Sequence, residues 1–467
     1  MADLPTETEE KPETGVAGSA AGHLPDAAVH AVSEALDENR IDDARAYVES
    51  LHHAEAADLI ERLPGDKRDQ LVGLLSDGFD PNVMAELDET VLDGVVDRLG
   101  LDQVAQVVAG MDSDDAVDVV EELEDHERRE VLDALSESDR TLIEEGLSYP
   151  EDSAGRLMQR ETVAVPSHWT VGQAIDYMRE TEDLTTHFFD LFLVDPRHQP
   201  VGTIPLSRVL RTQRHVALNA IMSAEIRKIP VTMDQEEVAF LFRQRDLISA
   251  PVIDEANRLV GVITVDDVVD VIHEEHEEDI MRLGGVGEED DLYAAIWATV
   301  RSRSTWLFIH LVAAGAAAAV VGIFRGTIEQ MVALAILMPV VAAMGGTASV
   351  QTLTVAVRAI AMRELTPANA FRTVGKEIIV GFANGILFAV LIGLATWAWF
   401  GSPELGGVIG LAIIINLVVA GLAGSALPVV LQRMGVDPAV AGSALLTSIT
   451  DVVGFYVFLG LAALLLL

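Results

Sequence analysis

Cysteine is absent from this chain of 467 residues, which excludes disulfides and thiolate metal sites. Lysine is scarce, at positions 11, 67, 228 and 376 alone, so nearly every base is arginine. No G-x-x-x-x-G-K-[ST] loop occurs, which disfavours a nucleotide-driven pump. No H-E-x-x-H helix occurs either: His273-Glu-Glu-His276 has the wrong spacing for a metalloprotease and precedes the apolar region. The first 25 residues lack the basic and apolar stretches of a signal peptide. They are polar, acidic and rich in Pro, Gly and Ala, and residues 1–25 are expected to be disordered. Clustered Lys and Arg are missing, so nucleic acid is not an expected partner.

Negative charge and long apolar runs are abundant, and they are segregated. The chain has 74 acids and 31 bases, but only six of those acids and eight of those bases follow residue 292. Hard divalent cations prefer oxygen ligands, so the acidic head is one candidate for cation binding. Acid-rich, Lys-poor surfaces also suit very high salt, where repulsion is screened, and a salt-loving source is the competing account.

The final thirty residues, 438–467, carry a single charge, Asp451. Such a run is long enough to cross a bilayer. A carboxylate in mid-span costs about 2.5–3.5 kcal/mol on insertion scales and marks an ion or proton path by default. Five spans are expected, at 304–324, 331–362, 377–400, 405–432 and 438–467, within a membrane region over 304–467. With the N-terminal half in the cytoplasm, Arg301, Arg303, Arg358, Arg363, Arg372, Lys376 and Arg433 fall inside and Arg325 alone outside, as the positive-inside rule requires. The expectation is a multi-pass plasma-membrane protein with a cytoplasmic N-terminus and an extracellular C-terminus.

Ahead of the spans, residues 26–150 show apolar residues at three- and four-residue spacing in short stretches, which predicts an all-α superhelical array. Residues 155–275 show strand-like runs and an internal repeat. DLFLVDPRHQPVGTIPLSRVL and SAPVIDEANRLVGVITVDDVVDVI share a strand, a turn, a hydrophobic-Gly pair, a second strand and a helix, with Gly202 and Gly261 in matching places. Two α/β units are expected, at 155–215 and 216–275, and residues 276–303 form a charged connector.

This order of parts resembles the MgtE family of magnesium transporters: a short-helix domain, a tandem CBS pair, an acidic connector and five spans. Three stretches carry the resemblance, LHHAEAADLIERLP, PVVAAMGGTASVQTLTVAVRAIAMREL and GVDPAVAGSALLTSITDVVG. It implies a non-enzymatic homodimer that moves Mg2+ through a central path, with Asp451 as the principal pore carboxylate. Pore-lining candidates are Gly345, Gly346, Thr347, Gln351, Ser443 and Thr447. Where the family often has Asn after the glycine pair, this chain has Thr347. Where members carry Asn-Pro, it has Ser443-Ala444. The Asp437-Pro438 pair reads first as a helix N-cap.

The resemblance further implies that cytosolic Mg2+ closes the path by bridging acids of the cytoplasmic half. The matching positions are Asp114, Asp118, Asp234, Glu236, Asp246, Asp267, Asp270, Glu275, Glu278 and Asp279. Asp114 and Asp118 are four apart, which predicts a shared helix face. Thr264 and Asp267 resemble a ribose-binding pattern, so an adenosine nucleotide is a candidate ligand of the CBS pair. Two alternatives stay open: transport of Co2+, Mn2+, Ni2+ or Zn2+, and a CBS-containing membrane sensor that transports nothing.

Overall fold

The computed structural model describes residues 24–181, 184–185, 188–287, 296–366 and 368–467. The disorder expected for residues 1–23 and the connector's residues 288–295 lie outside the described residues. The chain forms two compact units, one up to Val269 and one from Asp270 on.

The first unit begins with ten short helices, from Asp26–Asp37 to Glu137–Leu147. Helices this short are marginal alone, so a shared core must hold them. That core includes Leu59, Ile60, Val91, Val95, Val104, Val120 and Val131. Polar caps set the breaks between helices. Asp80 accepts from Asn82 N at 3.0 Å ahead of Pro81, and Asp88 accepts from Thr90 N at 2.8 Å, each satisfying an amide the helix leaves open. Arg68 and Arg128 do matching work at two helix C-termini. Arg68 donates to the carbonyls of Ile60 and Glu61, and Arg128 to those of Val120 and Glu121.

Two three-stranded sheets follow. In the first, β1 (Ala164–Pro166) runs parallel to β2 (Asp190–Val194), which pairs antiparallel with β3 (Pro200–Pro205). The second repeats this with β4 (Ile229–Pro230), β5 (Ser249–Ile253) and β6 (Leu259–Thr264). The repeated glycines have a packing reason. A Cβ on Gly202 would stand 2.8 Å from the Ser223 carbonyl, and one on Gly261 would stand 2.8 Å from the Gln159 carbonyl. Those neighbours come from the other repeat's side of the chain. Gln159 bridges to Val262, and Ser223 bridges to Thr203. Each repeat therefore lends its leading segment to its twin.

The second unit holds five helices long and apolar enough to cross a membrane: Thr299–Ile323, Ala333–Ala361, Ala370–Phe400, Pro403–Arg433 and Ala444–Leu465, here spans one to five. A helix satisfies its own backbone groups, which lipid demands. Span four is the central element, with Val408, Ile409, Ala412, Ile413 and Leu417 buried. Glycines bring span three onto it: a Cβ on Gly381 would lie 2.5 Å from the Leu417 carbonyl, and one on Gly385 would lie 2.9 Å from Ile414 Cα. Small residues allow such close approach, the main source of helix adhesion in lipid. Gly381→Val is expected to lower the melting temperature of the detergent-solubilised protein, because the obstructing atom is backbone. A melting temperature equal to the parent's would contradict this packing.

Candidate ion path and cation-sensing acids

Asp451 lies on span five and is half-buried, and its Oδ1 is buried with no hydrogen-bond partner among the described residues. One turn earlier is Thr447. A Cβ on Gly346 of span two would stand 3.1 Å from Thr447 Cγ2, and one on Gly345 would stand 3.1 Å from Thr450 Cβ. The glycine pair lets spans two and five touch, so its immediate reason is packing. Gly345 and Gly346 are buried, whereas Thr347 and Gln351, one turn apart on span two, are exposed. The structure therefore brings Gly346 against Thr447, one turn before Asp451, and leaves Thr347 and Gln351 exposed on span two. The side chain of Ser443 lies outside the described residues.

A second polar group, Asp437, Arg282 and Glu278, joins the segment before span five to the helix Val265–Gly284. Asp437 caps the short 3-10 helix Pro438–Ala441, accepting from Ala439 N at 2.8 Å. This is the cap the Asp-Pro pair predicts. Its other carboxylate oxygen pairs with Arg282, which also pairs with Glu278. The next residue, Leu283, packs on a cluster of Leu353, Val357, Ala439 and Leu446. The C-terminal end of the helix Val265–Gly284 thus docks on the ends of spans two and five. Burial, and then Asp437 beside it, push the Asp279 carboxyl up. The sequence holds no sign of the Arg282–Asp437 pairing, since the partners are distant along the chain. Asp270 is exposed and Glu275 half-buried on the same helix.

In the first unit, the helix Ser113–Glu122 is tied to the segment leading into the CBS pair. Ser113 Oγ donates to Glu161 at 2.8 Å and accepts from Arg160 N at 2.8 Å. Arg156 pairs with Glu121 at 3.0 Å, and Arg160 with Glu145 at 3.3 Å. These bonds hold Asp114 against like charge. Its side chain is buried, and Oδ1 has no hydrogen-bond partner among the described residues. Burial first, and then the neighbouring Asp267 and Asp115, drive its carboxyl well above the usual range. The Asp115 carboxyl is pushed up to about 7 by burial, then by Asp112, Asp267, Glu86 and Asp266. Asp267 meanwhile caps its own helix, accepting from Thr264 Oγ1 at 2.7 Å and from Thr264 N at 3.2 Å.

The expected sensor acids therefore divide. Asp114 and Asp267 come together, joined by Asp115, Asp112, Glu86 and Asp266, which the sequence reading passed over. Their acidity is plain in the sequence, but not which of many acids lie near one another. Asp118 shares a helix with Asp114 yet is exposed, because the edge of the packed face falls between the two positions. Asp234 caps the helix Gln235–Arg245, accepting from Glu236 N at 3.0 Å. Asp246 closes that helix in a left-handed conformation, and Glu236 is exposed. Among the described residues no three His, Asp or Glu side chains converge as a complete metal cage. Mg2+ does not require one, since it keeps several waters and binds through one or two carboxylates. The buried, unpartnered oxygen of Asp114 fits that mode.

The raised acids set a pH dependence. Their folded-state carboxyls bind protons more tightly than the unfolded chain's, so their stabilisation is complete at low pH and is lost as pH rises towards about 7. Asp115 alone should contribute on the order of 1 kcal/mol to that loss between pH 6 and pH 8. Without divalent cation, the full-length protein in detergent should melt higher at pH 6 than at pH 8. Asp114→Asn should raise the pH 8 value and shrink the gap. A gap as wide in Asp114→Asn as in the parent would show that Asp114 carries no part of it.

Between the repeats lies a shallow cleft lined among others by Glu161, Thr162, Phe189, Asp190, Ser249 and Thr264. Ser249 Oγ donates to Asp190 at 2.7 Å across it.

A short-helix domain, a CBS pair and five apolar helices with a carboxylate in the last define a multi-pass membrane protein of the transporter class. Comparison with known proteins agrees. The family described as divalent cation transporter, MgtE, matches residues 338–461. The MgtE intracellular N domain matches 51–152, and CBS domains match 154–215 and 218–274. The magnesium transporter MgtE of Thermus thermophilus is 33% identical over 337 residues, 71% of this chain and 74% of its own. That of Bacillus subtilis is 27% identical over 427 residues, 91% of this chain and 95% of its own. A crystal structure of the cytosolic domain of the Mg2+ channel MgtE in complex with ATP is 28% identical. It covers 52% of this chain and 99% of that one, with a TM-score of 0.49. The chain belongs to the MgtE family of divalent cation transporters.

Proposed function

We propose that this chain moves Mg2+ across the plasma membrane as a homodimer, through a path in which Asp451 is the principal carboxylate. The observation that carries this reading is the Asp451 oxygen, buried without a partner in an otherwise uncharged span. An intramembrane charge is retained where it serves an ion or faces water. A membrane-anchored sensor that transports nothing has no use for it. A twofold axis would present two such carboxylates to one hydrated dication, and the exposed Thr347 and Gln351 would face the partner copy. Oxygen donors favour hard cations, with Mn2+ and Co2+ as secondary cargo. The distribution of basic residues supports an orientation with the N-terminal unit and the Asp437 end of span five in the cytoplasm.

Cytosolic Mg2+ is the proposed closing signal. Asp114, Asp115 and Asp267 are held together at a cost in repulsion, and a dication would offset it and favour the compact arrangement. Glu278, Asp279 and Asp437 form the matching acidic group where the helix Val265–Gly284 meets the spans. An adenosine nucleotide is the proposed ligand of the cleft between the repeats, with Thr264 and Asp190 as its polar wall. Mg2+ flux into proteoliposomes, measured with and without Mg2+ on the side of the N-terminal unit, tests the reading. Flux that falls as that Mg2+ rises supports it. Flux absent at every concentration, in vesicles that contain the assembled protein, would sink it.

A further inference from the structure

Asn416 lies in the middle of span four, 1% exposed, in a stretch reading GLAIIINLVVAG. Its Nδ2 donates to the Val341 carbonyl of span two at 3.0 Å, and its Oδ1 has no hydrogen-bond partner among the described residues. Four other buried polar residues of the spans, Ser349, Ser425, Ser448 and Thr450, close their bonds within their own helices. Ser349 donates to the Gly346 carbonyl at 2.8 Å, Ser425 to Gly421 at 2.6 Å, Ser448 to Ala444 at 2.7 Å and Thr450 to Thr447 at 2.9 Å. Asn416 instead reaches between helices, and two glycines make room for it. A Cβ on Gly345 of span two would stand 2.3 Å from its Nδ2, and one on Gly454 of span five would stand 2.7 Å from the same atom and 3.2 Å from Oδ1. The carboxamide is therefore clamped between spans two and five, against the turn of span five that follows Asp451.

We infer that Asn416 is the positioning residue for Asp451: its carboxamide, wedged between Gly345 and Gly454, sets the rotation of span five about its own axis and hence the direction of the carboxylate. The physical reason lies in the shape of the contact. An apolar side chain slides over its neighbours, and lipid offers no hydrophobic force to resist rotation. A planar amide bonded at one edge to a fixed carbonyl, and faced by glycine on two sides, fits one setting only. Residues 450 and 454 are four apart and share the helix face against this wedge. Residues 447 and 451 share the adjoining face, so turning span five about its axis swings Asp451 directly. The unpaired Oδ1 is a cost in a buried site, and a merely cohesive contact gives no reason to keep it. The inference rests on the reading of Asp451 as the pore carboxylate.

The absence of cysteine allows a direct test on the full chain in proteoliposomes. Asp451→Cys and, separately, Val452→Cys each provide a unique thiol, and a charged methanethiosulfonate reagent reports which of them faces water. In the parent background, position 451 should react and position 452 should be slow. Adding Asn416→Leu should slow position 451 by about tenfold, the scale of one interhelical hydrogen bond in lipid, while position 452 speeds up. That reciprocal change is the mark of rotation, because loosening of the whole fold would speed both. Gly454→Ala, which pushes on the same amide from span five, should produce the same pattern and serves if Asn416→Leu fails to assemble. Rates at both positions unchanged in both backgrounds would overturn the inference and leave the pore reading intact. A thiol at 451 that never reacts, even with Asn416 in place, would overturn the pore reading and the inference with it.

Discussion

Asp451→Asn is expected to lower Mg2+ flux into proteoliposomes by about fortyfold or more, with assembly and melting temperature preserved. A dication about 5 Å from a carboxylate, with a water layer between, gains about 6.6 kcal/mol at an effective dielectric constant of 20. If only a third survives as a net effect on the barrier, the loss is about fortyfold. Asn keeps the shape and an acceptor oxygen but removes the charge, so the change reads electrostatics and not packing. The buried Oδ1 without a partner predicts that removing the charge also relieves a cost. Stability should therefore hold or rise while flux falls. Flux within a factor of two of the parent would remove Asp451 from the path.

Deletion of residues 1–269 is expected to leave a protein that still conducts but no longer closes as Mg2+ rises on the cytoplasmic side. The concentration for half-inhibition should rise by about tenfold or more, because a ligand shifts a two-state balance only by its differential affinity for the two states. The deletion removes Asp114, Asp115 and Asp267, whose mutual repulsion is the proposed point of that difference. It retains Glu278, Asp279 and Asp437 with Arg282. The cut follows the division between the two compact units and leaves all five spans in place. Inhibition unchanged by the deletion would shift the sensing role to the acids around Arg282.

The parts of this protein legible in its sequence were those set by composition over a short window. The spans lie close to where hydropathy predicts. The strand–turn–strand repeat is visible because Gly202 and Gly261 recur with the same neighbours. The short helices are visible because apolar residues return every three or four positions. Asp451 was conspicuous for the same reason: a single charge in a long apolar run needs no partner in the sequence to be noticed. Asp234 and Asp246 matched the sensor pattern just as well, yet Asp234 caps one end of the helix Gln235–Arg245 and Asp246 closes the other. An acid at a helix end carries the same letter whether it caps or binds. Asp114 and Asp118 had equal standing by spacing, and only burial separated them.

The sequence by itself determined the division into an acidic soluble head and an apolar tail, the types of secondary structure, and the one carboxylate of the last span. Each follows from local chemistry: charge seeks water, apolar runs seek lipid, and periodicity sets which face is buried. The tertiary structure alone decided which acids lie against one another and which end helices. It also decided that Arg282 pairs with Asp437, and that Asn416 stands between Gly345 and Gly454. Those outcomes depend on distances between segments remote along the chain, and such distances are set when cores close and glycines let backbones meet.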